Sequence, residues 1–578
     1  DRSVSRGLGD VYKRQMLFLA VGMLAGCDFM DCDESSDYTK QEIFDSFDRS
    51  KRMVTDIYSY LPQDFGKISG TSAEATSTAD ADATPDAMLD AATDDAIHVY
   101  KSSNIWRFVD GTWSANRTVD DVWSNYYSAI RAANLYLKES EGQDFKDWEF
   151  SDKYQDMIKD FTNYRYEVRF LRAFYYFELI KRYHNIPFVL EVLTPAQANT
   201  VSPSPFEQIA KFIVDECSEL STLLPVNYQG FVDKETGRVT RGAALALKSR
   251  VTLYMASPLF AADSQDKWKD AASAAYEIIG SATELGYKLD KFANLFGAAN
   301  NTSTEVILAR PTGENGDFEK SNFPMGVEGG KTSTCPTQNL VDAFEMKSGK
   351  EFDWNDPAMK ANPYADRDPR LAMTVVYNDM VWPAKEKVEI WEGGANGLPL
   401  TNATTTGYYL RKYVNKDISF VSGSTVTKKH HNWILFRYAE VLLNYAEAMV
   451  NAFHDPDYKD AEFPLSAREA VNQVRNRSDV KMPALKTGMA EADFVKRLKN
   501  ERRVELAFEG HRFWDVRRWK DLNATANVYG VKIQKTEDGF EYNKFLYETR
   551  TITDNLYFYP ISNTEKYKNP NLGQNTGW

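Results

Sequence analysis

Residues 501–519 read ERRVELAFEGHRFWDVRRW. Glu501, Glu505, Glu509 and Asp515 are interleaved there with arginines and with His511, a mixture an acid–base centre could use. Spacing favours a scaffold. Glu505, Glu509 and Arg512 fall at i, i+4 and i+7, and Asp515 with Arg518 at i, i+3, so opposite charges can pair along one helix and its exit, each exposed pair contributing about 0.2–0.5 kcal/mol. Phe508, Phe513, Trp514 and Trp519 are placed to lock the region against other helices, and His511 is expected to cap or pair rather than move protons. The stretch predicts helix packed on helix.

Working outward, residues 167–177, EVRFLRAFYYF, sit in a helix predicted over 164–183, with Phe170, Phe174 and Phe177 at i, i+4 and i+7. A helical aromatic stripe of this kind is core, and Asn185-Ile186-Pro187 stops it. Residues 118–138 place Val122, Tyr126, Ile130, Ala133 and Leu137 on one stripe, and these two helices should pair. Further helices are predicted over 41–61, 206–223, 240–256, 265–280, 433–452, 465–477 and 491–509. Helix pairs thus recur in the rhythm of tetratricopeptide (TPR) stacking, without its exact consensus. The expected class is mainly α, TPR-like helical pairs forming an α/α superhelix.

Between residues 301 and 431 the helical period is lost, and Gly- and Pro-rich turns separate short β-like segments at 306–309 and 371–377. Long irregular stretches inside a large fold carry function more often than decoration. Trp354, Tyr364, Trp382 and Trp391 lie there, and Trp106 and Trp113 lie in NIWRFVDGTW (104–113). No helix period explains the burial of these six rings, so they are the candidates for stacking on sugar faces. Asn104, Asp110, Asn116 and Asn396 are candidate partners for hydroxyls.

The chain has 578 residues, 43% hydrophobic and 26% charged, which excludes wholesale disorder and a polytopic membrane protein. Its net charge of −14 argues against nucleic acid as a partner. Cys27, Cys32, Cys217 and Cys335 form neither a C-x-x-C pair nor a disulfide framework. His430 and His431, adjacent in sequence, cannot both face one metal ion on regular structure. Asp80, Asp82, Asp86, Asp90, Asp94 and Asp95 lack the EF-hand pattern and are read as a solvated loop. No cofactor is implied, and a structural calcium ion is left open.

Residues 16–25, MLFLAVGMLA, follow Lys13 and Arg14 and precede Gly26-Cys27. This run is too short to span a bilayer and fits a secretion signal. Leu24-Ala25-Gly26-Cys27 resembles a bacterial lipobox, in which Cys27 carries the lipid. Residues 1–26 are read as a spurious extension, with Met16 as initiator, plus signal peptide, and 27–40 as an acidic tether.

Four segments together are hard to obtain by chance: 167–177 with Tyr183 and Pro187; 437–448, RYAEVLLNYAEA; 501–519; and the terminus, with Pro560-Ile561, NPNLGQN (569–575) and Gly577-Trp578. They resemble the SusD/RagB family of outer-membrane nutrient-binding lipoproteins, and residues 240–258 and 92–96 fit it too. The resemblance implies a TPR-rich region over 41–300 and a C-terminal region over 301–578, with the irregular insertion (301–431) and closing helices. It also implies a non-catalytic surface lipoprotein that binds oligosaccharide and sits on a SusC-like TonB-dependent transporter. Two other readings remain: a TPR-type surface protein that binds peptide or protein, and a surface glycoside hydrolase, which needs two carboxylates about 5–9 Å apart across a cleft.

Overall fold

The computed structural model describes residues 39–66, 68, 85–383, 386–421 and 427–578. The signal segment, Cys27 and residues 28–38 of the tether lie outside them. The helical frame begins with α1 (Phe47–Ser59), α2 (Trp123–Glu139), α3 (Tyr154–Tyr183), α4 (Phe206–Leu223), α5 (Arg241–Ala256) and α6 (Gln265–Gly280). Each helix from α2 to α6 lies against the next, and α1 covers α2 and α3. After the irregular segment, α7 (Tyr438–Phe453) docks on α6, and α8 (Ala467–Arg475) and α9 (Glu491–Glu505) dock on α7. A short α10 (Arg512–Arg518) closes the frame.

α3 is the central rod. It starts ten residues before its predicted position, because Phe161 continues the apolar stripe toward the N-terminus. Phe170, Phe174, Tyr175, Tyr176 and Phe177 have essentially no exposure, as expected of a helix that is apolar all round. Its charged residues are buried as well, and burying a charge is tolerable only with a partner. Glu167 meets Arg238 (2.6 Å), and Glu178 meets Arg182 (2.7 Å) and Lys181 (2.5 Å). α5 fits between α4 and α6 because Gly242, Ala243, Ala244 and Ala246 let backbones approach closely.

Several predicted elements differ. The helix expected over 41–61 breaks before α1, where extended Ser46 accepts a hydrogen bond from Arg49 N and caps the new helix. The helix expected over 433–452 begins as a strand. β1 (Ala96–His98) pairs with β3 (Thr334–Pro336), β2 (Val306–Pro311) with β4 (Asn432–Arg437), and β5 (Asn527–Lys535) with β6 (Phe540–Thr549), all antiparallel. The β-like reading of 371–377 holds only for Val375–Val376, because Asp368 caps a helical turn at Pro369–Thr374.

The 501–519 stretch is a scaffold, but most of its charges pair across the molecule, with Asp515–Arg518 the pair that lies along one helix. α9 ends at Glu505, since Phe508 (φ 58°) and Gly510 (φ 74°) take left-handed backbone. Glu505 pairs with Arg370 (2.8 Å), Arg437 (2.7 Å) and Arg477 (2.5 Å). Glu501 pairs with Arg370 and Arg475, each at 2.6 Å, and Glu509 with Arg437 (2.7 Å) and Lys412 (2.8 Å). Asp515 meets Arg518 (2.9 Å) as expected, and also Arg502 (2.8 Å). All these groups are buried. His511 stands at the N-cap of α10, but among the described residues its side chain makes no capping hydrogen bond or ion pair; burial and the nearby Arg250 hold its pKa well below the usual histidine value.

The acidic loop is not wholly solvated either. Residues 69–84 lie outside the described residues, but Asp90, Asp94 and Asp95 are buried. Asp94 pairs with Arg512 (2.9 Å) and Asp95 with Arg503 (2.6 Å), pinning this segment to the closing helices. One apolar core runs from Phe174 and Leu253 to Leu442, Phe513 and Ile561.

Candidate ligand-binding cleft

Three loops of the irregular segment enclose a cleft of about 800 Å³, within the 300–1,000 Å³ usual for ligand sites. One wall is Phe323–Glu328, which follows the short helix Asp317–Asn322. A second is formed by Trp382, Pro383 and Glu386–Glu389 with Ala395 and Asn396, and the third by Lys416 and Ile418–Val421.

Phe323 stands at the centre of the floor, edge-on to Trp382 (5.9 Å, 89°) and to Phe420 (5.9 Å, 79°). Phe323 and Trp382 are buried beneath the cleft, and Phe420 is half-buried. The walls are tied by backbone chemistry. The Asn396 side-chain amide donates to Met325 O (2.8 Å) in the first wall and its carbonyl accepts from Glu389 N (3.0 Å) in the second. Gly326, at φ 92°, runs so close to the second wall that a Cβ there would lie 2.2 Å from Ala395 O. Gly329, at φ 78°, would place one 2.5 Å from the Phe420 Cβ. No side chain fits at either point.

The rim is polar. Glu386 and Lys416 are exposed and make no ion pair among the described residues, whereas Lys387 holds Asp379 (2.7 Å) and Glu389 accepts from Ala395 N (3.2 Å). An apolar ring floor under unspent polar groups suits a ligand with C–H faces and hydroxyl edges. Among the described residues the lining includes no histidine or cysteine.

Of the six rings singled out by sequence, only Trp382 lines this cleft. Trp391 lies on the adjoining loop, beneath Lys535 Nζ at 4.7 Å. Trp113 is buried against Phe108 (4.6 Å), Tyr559 (4.8 Å) and Trp578 (4.8 Å). Trp106 is also buried; its Nε1 donates to Tyr100 O (2.9 Å) and Lys101 Nζ lies 3.4 Å from the ring centroid. Trp354 donates to Asp342 (3.0 Å), and Tyr364 stacks on Tyr377 (4.3 Å). These rings serve packing because irregular backbone also builds core here. Among the hydroxyl candidates, Asn396 joins the cleft walls, Asn116 accepts from Asn563 (2.7 Å) and Asp110 from Thr112. Sequence reasoning passed over Phe323 and Phe420; the signal was the run of glycines at 326, 329 and 330 that lets their loops meet.

Helical frame, irregular insertion and cleft define a class, and comparison gives it a name. Residues 300–578 match the family model described as SusD family, and residues 28–253 match one described as starch-binding associating with outer membrane. The chain belongs to the SusD/RagB family. A SusD-like protein from Bacteroides fragilis superposes with a TM-score of 0.74 at 25% identity, over 94% of this chain and 99% of that one. A laminarin-binding SusD-like protein gives 0.62 at 20% identity, over 92% and 99%. In sequence, SusD-like protein P25 of Formosa agariphila is 22% identical over 76% of this chain and 80% of its own length.

Proposed function

We propose that this protein is a lipid-anchored glycan-binding protein of the outer-membrane surface, which captures oligosaccharide in the Trp382–Phe323–Phe420 cleft and passes it, unhydrolysed, to a SusC-like TonB-dependent transporter. The observation that carries the reading is the cleft: an aromatic floor beneath a polar rim on which Glu386 and Lys416 are exposed. Family membership and structural likeness to a laminarin-binding relative support a glycan as cargo. The outer-membrane description of the N-terminal match and the lipobox-like Leu24–Cys27 support the location. Binding is modest by design, since a protein that hands on its cargo gains nothing from very tight retention.

Affinity electrophoresis of the protein lacking residues 1–27 against laminarin, starch and other polysaccharides tests the cargo. Retardation by one glycan class, with no reducing ends released on prolonged incubation, is the expected result. Retention of peptides with no response to any glycan would move the assignment to peptide capture, and released reducing ends would revive the hydrolase. Co-purification from membranes of a tagged chain with a TonB-dependent transporter tests the partner.

A further inference from the structure

Three exposed large apolar side chains lie beside the N-terminal turns of α3, while a fourth, Tyr567 (85% exposed), stands apart on the short helix Asn563–Lys568. Phe150 is 93% exposed, Val232 64% and Trp148 53%. Trp148 and Phe150 stand on the turn between α2 and α3, whose short 3₁₀ segment is Lys146–Trp148. The turn is not loose. Phe145 takes left-handed backbone (φ 48°) and buries its ring against Phe161 (4.8 Å) and Phe47 (6.1 Å), and Tyr154 donates to Asp144 O (2.6 Å). Val232 belongs to the 226–239 loop, which is tied to the first turns of α3 by Lys159 donating to Gly230 O (2.8 Å) and Tyr164 to Asp233 (2.6 Å).

Phe47, which touches the base of the turn, is the first residue of α1. The chain from Cys27 therefore reaches the folded body at this same end. Residues 28–38 span at most about 40 Å when fully extended, so a lipid on Cys27 keeps this end of the body near the bilayer. Folded proteins rarely leave a tryptophan and a phenylalanine two residues apart in water without use for them, and at a lipid–water boundary a tryptophan buries its apolar body while its N–H stays wet and a phenylalanine adds apolar area. Lys146 holds Asp144 (2.9 Å), Lys159 holds Gly230 O, and Glu141, Glu149, Asp152 and Asp156 are exposed around the turn, so the contact would rest on the apolar rings and not on attraction between lysines and headgroup phosphates.

We propose that the Trp148–Phe150 turn seats on the surface of the lipid bilayer as a second contact beside the lipid on Cys27, fixing the orientation of the body. The proposal rests on the lipid-anchor reading above. The lipid supplies attachment, and the aromatic turn removes the rotation that a tether alone would permit.

The test uses the full lipidated chain in vesicles of phosphatidylethanolamine and phosphatidylglycerol, with Glu149→Cys labelled by an environment-sensitive fluorophore in a Cys32→Ser background. Cys217 and Cys335 are buried and will not take the label. The expected result is an emission increase of about twofold or more on reconstitution, quenched by spin-labelled lipid and lost when Trp148→Ser and Phe150→Ser are added. Flotation with the vesicles and lipid on Cys27 by mass, with emission unchanged, would overturn the second contact while leaving the anchor intact. Absence of lipid on Cys27 would remove the anchor reading and this proposal together. Emission that rises only when a transporter is co-reconstituted would assign the turn to a protein partner instead, which also overturns it.

Discussion

Glu505 receives three guanidinium groups in a site closed to water, and what those contacts are worth depends on all of them being present. A buried ion pair is a poor source of net stability, but removing one partner strands the others and costs about 3–5 kcal/mol. Glu505→Gln is expected to cost that much, measured as a fall in the urea midpoint. Although burial opposes ionisation, Arg477, Arg437 and Arg370 hold the Glu505 carboxyl well below the usual carboxylate range. Its contribution is therefore present above about pH 4.3 and is lost as pH falls toward the folded value. Asp90 has the opposite sign: burial and the neighbouring Asp95 push its pKa up to about 7. The folded protein keeps a proton there that the unfolded chain releases, so this contribution shrinks as pH climbs from about 4 to about 7. Asp90→Asn should gain stability relative to the parent across that window, in unfolding curves at pH 4.5 and 7; a constant difference would contradict the assignment.

Among elements, those with local signals were legible and those set by distant contacts were not. α4 and α6 begin and end where their prolines, serines and apolar spacing place them. α8 carries a capping box, in which Ser466 accepts from Glu469 N and the Glu469 carboxylate accepts from Ser466 N. Ser466→Ala should cost about 1 kcal/mol, read from thermal unfolding. β4 was misread because Trp433–Phe436 is a continuous apolar run, and periodicity cannot distinguish a fully buried strand from a buried helix. The break after Glu505 was missed because the partners that make it worthwhile, Arg437, Arg477 and Lys412, come from elsewhere in the chain. The cleft loops lie between these cases. Gly326 has neither the backbone freedom nor the space to accept a side chain, so Gly326→Ala should weaken glycan retention about tenfold or more while shifting the thermal midpoint by only a few degrees. Equal loss of both would place Gly326 in the general scaffold.

At the scale of the whole molecule, the two halves interlock. β1 pairs with β3, Asp94 and Asp95 hold Arg512 and Arg503, and α7 completes the packing of α6. Residues 39–300 expressed alone should lack a cooperative transition, whereas the full chain should unfold in a single step by both circular dichroism and fluorescence. Family membership was legible in four short segments because they hold this shared scaffold together: the buried rod of α3, the α7 helix, the ionic hub and the terminal tail. The ligand site was legible only in outline. Trp382 stood out as a ring without a helical period, but so did Trp113, and only tertiary packing separates a cleft floor from a core. The measurement that bears most directly on the central claim is titration calorimetry with the retained glycan, comparing the parent with Phe420→Ala and with Trp354→Ala. A loss of about tenfold or more in affinity for Phe420→Ala, equivalent to about 1.4 kcal/mol, with Trp354→Ala unchanged, is the result expected of a cleft floored by Trp382, Phe323 and Phe420; undiminished affinity in Phe420→Ala would place the glycan elsewhere on the protein.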